Sequence, residues 1–254
     1  MHHSPFVLIL ASLRLTRVGI HIFAALALAS VYPALSPLTQ RHLLRWWSRG
    51  LLRVLNVHHV TNGSQVLVND AACLFVANHI SWLDIFAVNV TTPARFVAKS
   101  EVSQWPVLGW LVQRSGTLFV RRGVRSDAVR VNALVTGLLQ QGRAIALFPQ
   151  GTSTTPEQAV HFHAPLLQSA IAANSQVQPV AIFYHDGRGV CHDAAVFVGD
   201  TTFMQSLWRI VCTTDIRVTV TYLPPMDATG QDRRSLAVQA QDAVNAALAR
   251  HIRA

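Results

Sequence analysis

Short apolar runs recur along this chain, and helical patterns separate several of them. The strand-like runs are Leu74–Ala77, Arg95–Ala98, Thr117–Val120, Ala144–Phe148, Val177–Tyr184, Ala195–Val198 and Arg217–Leu223. The helical patterns are Asp127–Gln141, Pro165–Ala173 and Asp232–Ile252. Such alternation predicts an α/β fold with a mostly parallel central sheet flanked by helices. Residues that follow parallel strands meet at one edge of the sheet, where ligands bind in open α/β folds.

The first 50 residues are unlike the rest of the chain. Nearly every residue from Val18 to Leu35 is apolar, and Phe6–Leu13 is a second apolar run upstream. Arg14 and Arg17 precede the longer run, and further arginines follow it together with Trp46 and Trp47. We predict an N-terminal membrane-associated helical segment at residues 1–50 and one domain at residues 51–254. Because a spanning helix needs about 20 apolar residues, a spanning helix and a monotopic anchor both stay open. A cleaved signal peptide and a buried core helix are the competing interpretations.

The composition favours a membrane surface as the partner. Hydrophobic residues make up 51% of the chain and charged residues 13%, whereas soluble domains average about 25% charged. The net charge is +9 and comes almost entirely from arginine, since Lys99 is the only lysine. We find no nucleic-acid-binding module, so the basic charge is better matched to anionic lipid. The three cysteines share no motif spacing, which is typical of a cytoplasm-facing domain, and no metal site is predicted.

One histidine stands out by its spacing to a carboxylate. His79 follows the apolar run Leu74–Ala77 and precedes Asp84 by five residues. On one regular helix these positions point to different faces, so the two side chains meet only if His79 lies in the turn before a helix that contains Asp84. Ser81 is a suitable N-cap for that helix. Asp84 would then fix the tautomer of His79 and leave its other nitrogen free as a general base.

Two further motifs end predicted strands. Gly116–Arg122 is a strand that ends in the basic pair Arg121 and Arg122, and Phe148–Thr154 is a strand that ends in a Pro-Gly turn. Pro179, inside a later apolar run, predicts a strand start or an irregular edge. Parallel strands would place the first two motifs at the same sheet edge as His79.

With these blocks in order, residues 71 to about 184 resemble the glycerolipid acyltransferase family typified by 1-acylglycerol-3-phosphate acyltransferases. The family is recognised by the blocks Asn-His-x4-Asp, Gly-x-x-Phe-Ile-Asp-Arg, Phe-Pro-Glu-Gly-Thr-Arg-Ser and Pro-Val. The resemblance implies a lysolipid O-acyltransferase that moves a fatty acyl group from acyl-CoA or acyl-carrier protein, as co-substrate, to a lipid hydroxyl, without another cofactor. His79 and Asp84 would be catalytic, and backbone N–H groups near Ser81 would stabilise the oxyanion. The implied substrate-binding residues are Asn78, Ser81, Arg121, Arg122, Gln150, Gly151 and Thr152.

The chain departs from the family pattern at three positions. Arg121 replaces the usual Asp, Gln150 replaces Glu, and Ser153 replaces the Arg of the third block. Losing that Arg removes a bidentate phosphate ligand. Either Arg121 or Arg122 compensates, or the acceptor is not a lysophosphatidate. Residues 148–171 look more like the branch that acylates lyso-ornithine lipids, whose acceptors carry an amino-acid headgroup.

Two other interpretations remain. A catalytically weak lipid-binding member of the fold would explain Gln150 and Ser153, and a soluble enzyme would bury the N-terminal helix. The main expectation is a membrane enzyme with its active site on the cytoplasmic face of the inner or plasma membrane, with lipid rather than nucleic acid as partner.

Overall fold

A twisted sheet forms the centre of the computed structural model, which describes residues 4–64, 72–121, 123–155 and 158–252. Its strands are β1 (Val57–Asn62), β2 (Cys73–Ala77), β3 (Arg95–Lys99), β4 (Leu118–Val120), β5 (Ile145–Leu147), β6 (Gln176–His185), β7 (Ile216–Tyr222) and β8 (Met226–Asp227). The strand order is β1-β7-β6-β2-β5-β3-β4, with β8 paired to β6. Strands β6, β2, β5, β3 and β4 are parallel, whereas β7 and β8 run antiparallel to β6. The prediction of a mostly parallel sheet is confirmed.

Helices cover both faces of this sheet. They are α1 (Pro5–Val31), α2 (Pro37–Val54), α3 (Asp84–Thr91), α4 (Leu108–Arg114), α5 (Arg125–Gln140), α6 (Gln168–Ala172), α7 (Phe203–Cys212) and α8 (Arg233–Ile252). One core cluster joins α1, α2, α3 and α7 to the sheet, and a second cluster joins α5, α6 and α8 to its other face. The strand β2 contributes alternate residues to the two clusters, as the period of two in a strand requires.

The sequence-based assignments differ from the structure in three strands. Residues 195–198 form no strand, because Ala195 ends a short 3₁₀ turn at Asp193–Ala195 and the residues after it run past the turn that follows β2. There the N–H of Phe197 donates to the carbonyl of Ile80, 2.9 Å away. Strands β1 and β8 were not predicted. Pro179 lies inside β6, between Val177, which pairs with β8, and Val180, which pairs with β7. Its missing N–H therefore falls in the gap between these two pairings.

Helix α1 joins both apolar N-terminal runs into one element. The segment Pro5–Ala34 is long and apolar enough to cross a membrane, with 6% of its most apolar window buried. It nevertheless packs along the domain: Arg14 donates to the carbonyls of Val211 and Thr213 at 2.8 and 2.6 Å. His21 stacks on Trp47 with ring centroids 4.9 Å apart.

Helix α2 is part of the same layer as α1. The predicted domain boundary after residue 50 falls inside α2, whose residues Leu51 and Leu52 are buried in the core. At Gly50 an added Cβ would lie 2.7 Å from the His21 ring, so a larger residue there would displace that ring from its stack on Trp47.

Candidate functional site

The turn between β2 and α3 brings His79 and Asp84 together. The strand ends at Ala77, the chain turns through residues 78–83, and α3 begins at Asp84 itself. His79 Nδ1 lies 2.8 Å from Asp84 Oδ2. The predicted pairing across the turn is therefore present, although Asp84 is the first residue of the helix and Leu83, not Ser81, occupies the N-cap position.

The Asp84 carboxylate is fully buried and receives four hydrogen-bond donors. Oδ2 accepts from the N–H groups of Ile80 and Ser81 at 2.8 and 3.0 Å, in addition to His79 Nδ1. Oδ1 accepts from the Tyr184 hydroxyl at 2.8 Å. An ionised carboxylate accepts only, so His79 donates through Nδ1–H and leaves Nε2 as the basic nitrogen.

Tyr184 supplies one of these donors from the sheet. Burial raises the pKa of the Tyr184 phenol well above its ordinary value, and the neighbouring Asp84 charge and hydrogen bond raise it further. The phenol therefore stays protonated as a donor to Asp84. The Ile80 and Ser81 N–H groups are already bound to Asp84, so the expected oxyanion role does not fall to them.

The imidazole of His79 lies flat against an aromatic ring. Its ring centroid is 4.1 Å from that of Phe148, with an interplanar angle of 10°, and Phe148 stacks in turn on Phe96. The His79 side chain is 22% exposed whereas Asp84 is 0% exposed. A fixed ring with one buried, hydrogen-bonded nitrogen is suited to accept a proton on the other.

The third motif holds the backbone of His79 on both sides. The Gln150 side-chain oxygen accepts from the His79 N–H at 2.6 Å, and its amide donates to Thr154 Oγ1 at 2.9 Å. The Thr154 N–H donates to the His79 carbonyl at 2.9 Å. The buried Gln150 side chain thus connects the turn after β5 to the turn after β2.

Asn78 and Ser81, both predicted to bind substrate, have protein partners. The Asn78 side chain donates to the Ile182 carbonyl at 2.9 Å and accepts from the Ile182 N–H at 2.7 Å, which extends the pairing of β2 with β6. The Ser81 hydroxyl accepts from the Leu83 N–H at 3.3 Å. Both residues are buried, and both stabilise the turn that carries His79.

The other predicted binding residues lie around this centre at different distances. Arg121 follows the edge strand β4, three strand spacings or roughly 14 Å from β2, and its guanidinium lies 3.7 Å from Asp127 Oδ1. Arg122 lies outside the described residues. Gly151 has a φ of 77°, which favours glycine in the turn closed by its N–H to the Phe148 carbonyl. Thr152 is exposed.

Sequence reasoning missed the roles of Tyr184, Phe148 and the segment around Phe197. Tyr184 ends an apolar run that reads as core, and only the parallel register of β6 beside β2 brings it to Asp84. Phe148 carries a weak signal, because it directly precedes the Pro-Gly turn. The Ser153 hydroxyl donates to the carbonyl of Phe197, a contact between distant segments that no local pattern indicates.

Removing the Tyr184 hydroxyl tests its positioning role. We expect Tyr184→Phe to lower kcat about tenfold and to destabilise the fold by about 1–3 kcal/mol, because a buried carboxylate oxygen loses its donor. Acyl-transfer rates and thermal unfolding measure both effects. Tyr222→Phe is the matched control, since its buried hydroxyl contacts Thr91 Oγ1 at 2.7 Å, away from Asp84. Equal losses of activity in the two variants would contradict the positioning role.

Truncating Gln150 tests the connection between the two turns. We expect Gln150→Ala to lower kcat about tenfold, because the His79 N–H loses its acceptor and the imidazole loses its alignment. Exposed Gln158→Ala is the control in the same segment. Unchanged kcat with a raised KM would instead assign Gln150 to substrate binding.

Known proteins resemble this chain along much of its length. A sequence model of the acyltransferase family matches residues 55–183. A lyso-ornithine lipid O-acyltransferase from Pseudomonas aeruginosa is 38% identical over 93% of this chain and 90% of its own length. A 1-acyl-sn-glycerol-3-phosphate acyltransferase from Neisseria meningitidis is 34% identical over 79% of this chain and 78% of its own. The crystal structure of the LPA acyltransferase PlsC from Thermotoga maritima matches with a TM-score of 0.71 at 19% identity, covering 96% of this chain and 95% of that one.

Proposed function

This chain belongs to the acyltransferase family and is a lysolipid acyltransferase, and from that premise we propose that it acylates a lipid hydroxyl by His79/Asp84 general-base catalysis. The observation that carries the mechanism is the fully buried Asp84 carboxylate held 2.8 Å from His79 Nδ1. It leaves one imidazole nitrogen for the acceptor hydroxyl.

The proposed reaction is a direct transfer. His79 Nε2 takes the proton of the lipid hydroxyl while the oxygen attacks the thioester carbonyl of acyl-CoA or acyl-carrier protein. Asp84 stabilises the imidazolium that forms. As the tetrahedral intermediate collapses, the carbon–sulfur bond breaks and the imidazolium proton passes to the leaving thiolate. Arg121 and Arg122 are proposed to contact the anionic parts of the headgroup or donor.

For the acceptor, we propose a lyso-ornithine lipid in preference to a lysophosphatidate. Ser153 stands where phosphate-headed family members carry Arg, and its hydroxyl is bonded to the Phe197 carbonyl. The guanidinium of Arg121 lies near Asp127, which reduces its attraction for a dianionic phosphate. An amino-acid headgroup carries one carboxylate and therefore needs less positive charge.

The deciding experiment is an acyl-transfer assay with the full-length chain in washed membranes. Labelled acyl-CoA and acyl-carrier protein serve as donors, and lyso-ornithine lipid and lysophosphatidate as acceptors, with His79→Ala as the blank. Turnover of the ornithine lipid alone supports the proposal. Turnover of lysophosphatidate alone refutes the proposal that a lyso-ornithine lipid is the acceptor. Binding of lipids without turnover on any acceptor would favour the catalytically weak lipid-binding alternative.

We also propose that α1 lies in the membrane surface as a monotopic anchor on the cytoplasmic face. Its contacts with α7 and α2 through Arg14 and His21 hold one side of the helix on the domain. Its opposite side is exposed and largely apolar, with Phe6, Ile9, Leu13, Ile20 and Phe23 each more than half exposed. Exposed Arg17 lies between Leu13 and Ile20 on that side. A helix with a protein-facing side and an outward apolar side is suited to the interface of a bilayer.

Charges on the outer side of α1 should release the protein from membranes. We expect Ile20→Glu with Phe23→Glu to reduce vesicle binding at least tenfold, since two large apolar side chains leave the lipid. The control is Val129→Glu with Val238→Glu, which changes two similarly exposed residues on α5 and α8. Sedimentation with vesicles measures binding; equal release by both pairs would argue against an anchor at α1.

A further inference from the structure

A cavity of about 920 Å³ lies at the sheet edge opposite to His79. One wall comes from residues at or just before strand starts, such as Ala72, Arg95 and Ala144. The other wall is the α1–α2 connection and the first half of α2, including Tyr32 and Arg41. Because His79 follows the carboxyl end of β2, a strand length of roughly 15 Å separates the two sites.

The lining of this cavity is strongly cationic. It includes Arg41, Arg95 and Arg143, and no Asp or Glu is found among its described lining residues. Within residues 4–64, 72–121, 123–155 and 158–252, no ion pair is formed by Arg95 or Arg143. Both are half-buried. Partly desolvated guanidinium groups without a carboxylate partner favour an anionic ligand.

Backbone pairing places the two arginines side by side at the strand starts that line the cavity. The N–H of Arg95 donates to the Ala144 carbonyl at 3.0 Å, so Arg95 and Arg143 lie on adjacent strand starts. The Arg95 side chain passes over Gly116, where an added Cβ would lie 3.1 Å from its Nε. Tyr32 lines the same cavity as both arginines. Burial raises the pKa of its phenol, and the charges of Arg95 and Arg143 lower that pKa in part.

We propose that this cavity binds a phosphate-bearing anion, held by the guanidinium groups of Arg95 and Arg143 and by the Tyr32 hydroxyl. Guanidinium groups bind phosphate oxygens in bidentate fashion, and the phenol adds a further donor. The volume exceeds that of a bare phosphate ion and admits a lipid headgroup. Exposed Val31 and Leu38 are the chain neighbours of the lining residues Tyr32 and Pro37, which places apolar surface for acyl chains beside the cavity.

Binding to the full-length protein in neutral detergent tests this site with two probes. The first is inorganic phosphate, titrated against chloride at matched ionic strength; the second is fluorescent phosphatidylglycerol in mixed micelles, compared with phosphatidylcholine. We expect Arg95→Gln with Arg143→Gln to weaken binding at least tenfold. The control, Arg233→Gln with Arg234→Gln, removes two exposed charges on α8 and should change binding less than twofold.

Each outcome bears on the proposal. If only phosphate binds, the ligand is a soluble anion; if only phosphatidylglycerol binds, the ligand is a lipid. Either result supports an anion site. No binding of either probe, or equal weakening by both double variants, overturns it. Should the double variant unfold in probe-free buffer, Gln141→Glu places a carboxylate at an exposed lining position, and wild-type affinity in that variant would also overturn the site.

Discussion

Replacing His79 with Ala should abolish acyl transfer while the fold remains intact. A positioned general base accelerates proton transfer by about 10²–10⁴-fold, and no other imidazole among the described residues contacts Asp84. We therefore expect kcat to fall by about 10³-fold or more. The Asp84 carboxylate keeps its donors from Ile80, Ser81 and Tyr184, so the free energy of unfolding should change by no more than about 1–2 kcal/mol.

Two measurements make this result specific to the base. His58→Ala removes an exposed imidazole from β1 and should retain activity within about twofold, as is usual for surface substitutions. Added imidazole should partly restore His79→Ala, because the truncation leaves a space between the Phe148 ring and Asp84. A His79→Ala enzyme with full kcat on the preferred acceptor would refute the mechanism.

Replacing Asp84 with Asn should cost nearly as much activity as losing the histidine. The amide can point its nitrogen at the Tyr184 hydroxyl and its oxygen at the Ile80 and Ser81 N–H groups, so the turn stays formed. What is lost is the negative charge that stabilises the imidazolium. In a Ser-His-Asp triad the same change costs about 10⁴-fold, and we expect a loss of between about 10² and 10⁴-fold in kcat.

A double-variant cycle separates this role from a structural one. His79→Ala with Asp84→Asn should be no slower than His79→Ala alone, because Asp84 acts only through His79. Asp215→Asn, a half-exposed carboxylate just before β7, serves as the control and should change kcat less than twofold. If the two losses were additive, Asp84 would have a role independent of His79.

The local pattern of the chain was sufficient to predict the fold class and the pairing of His79 with Asp84. Alternation of apolar runs and helical patterns predicts parallel strands because each strand must bury both faces beneath helices. The spacing of His79 and Asp84 predicts a strand–turn–helix, since no single regular element brings positions five apart into contact. These inferences involve residues near one another in the chain, where geometry depends on few dihedral angles.

Only the tertiary structure decided the contacts between segments that are distant in the chain. The sequence predicts that Gln150 binds substrate, yet Gln150 accepts from the His79 N–H. It predicts only a strand end at Tyr184, yet Tyr184 donates to Asp84. Both contacts depend on which strands neighbour β2 and in what register. Likewise, the apolar pattern of residues 5–31 predicts a helix but not its orientation, which depends on Arg14 and His21 contacting α7 and α2. Local propensity selects each element, whereas packing free energy selects its neighbours, and that free energy depends on the whole chain at once.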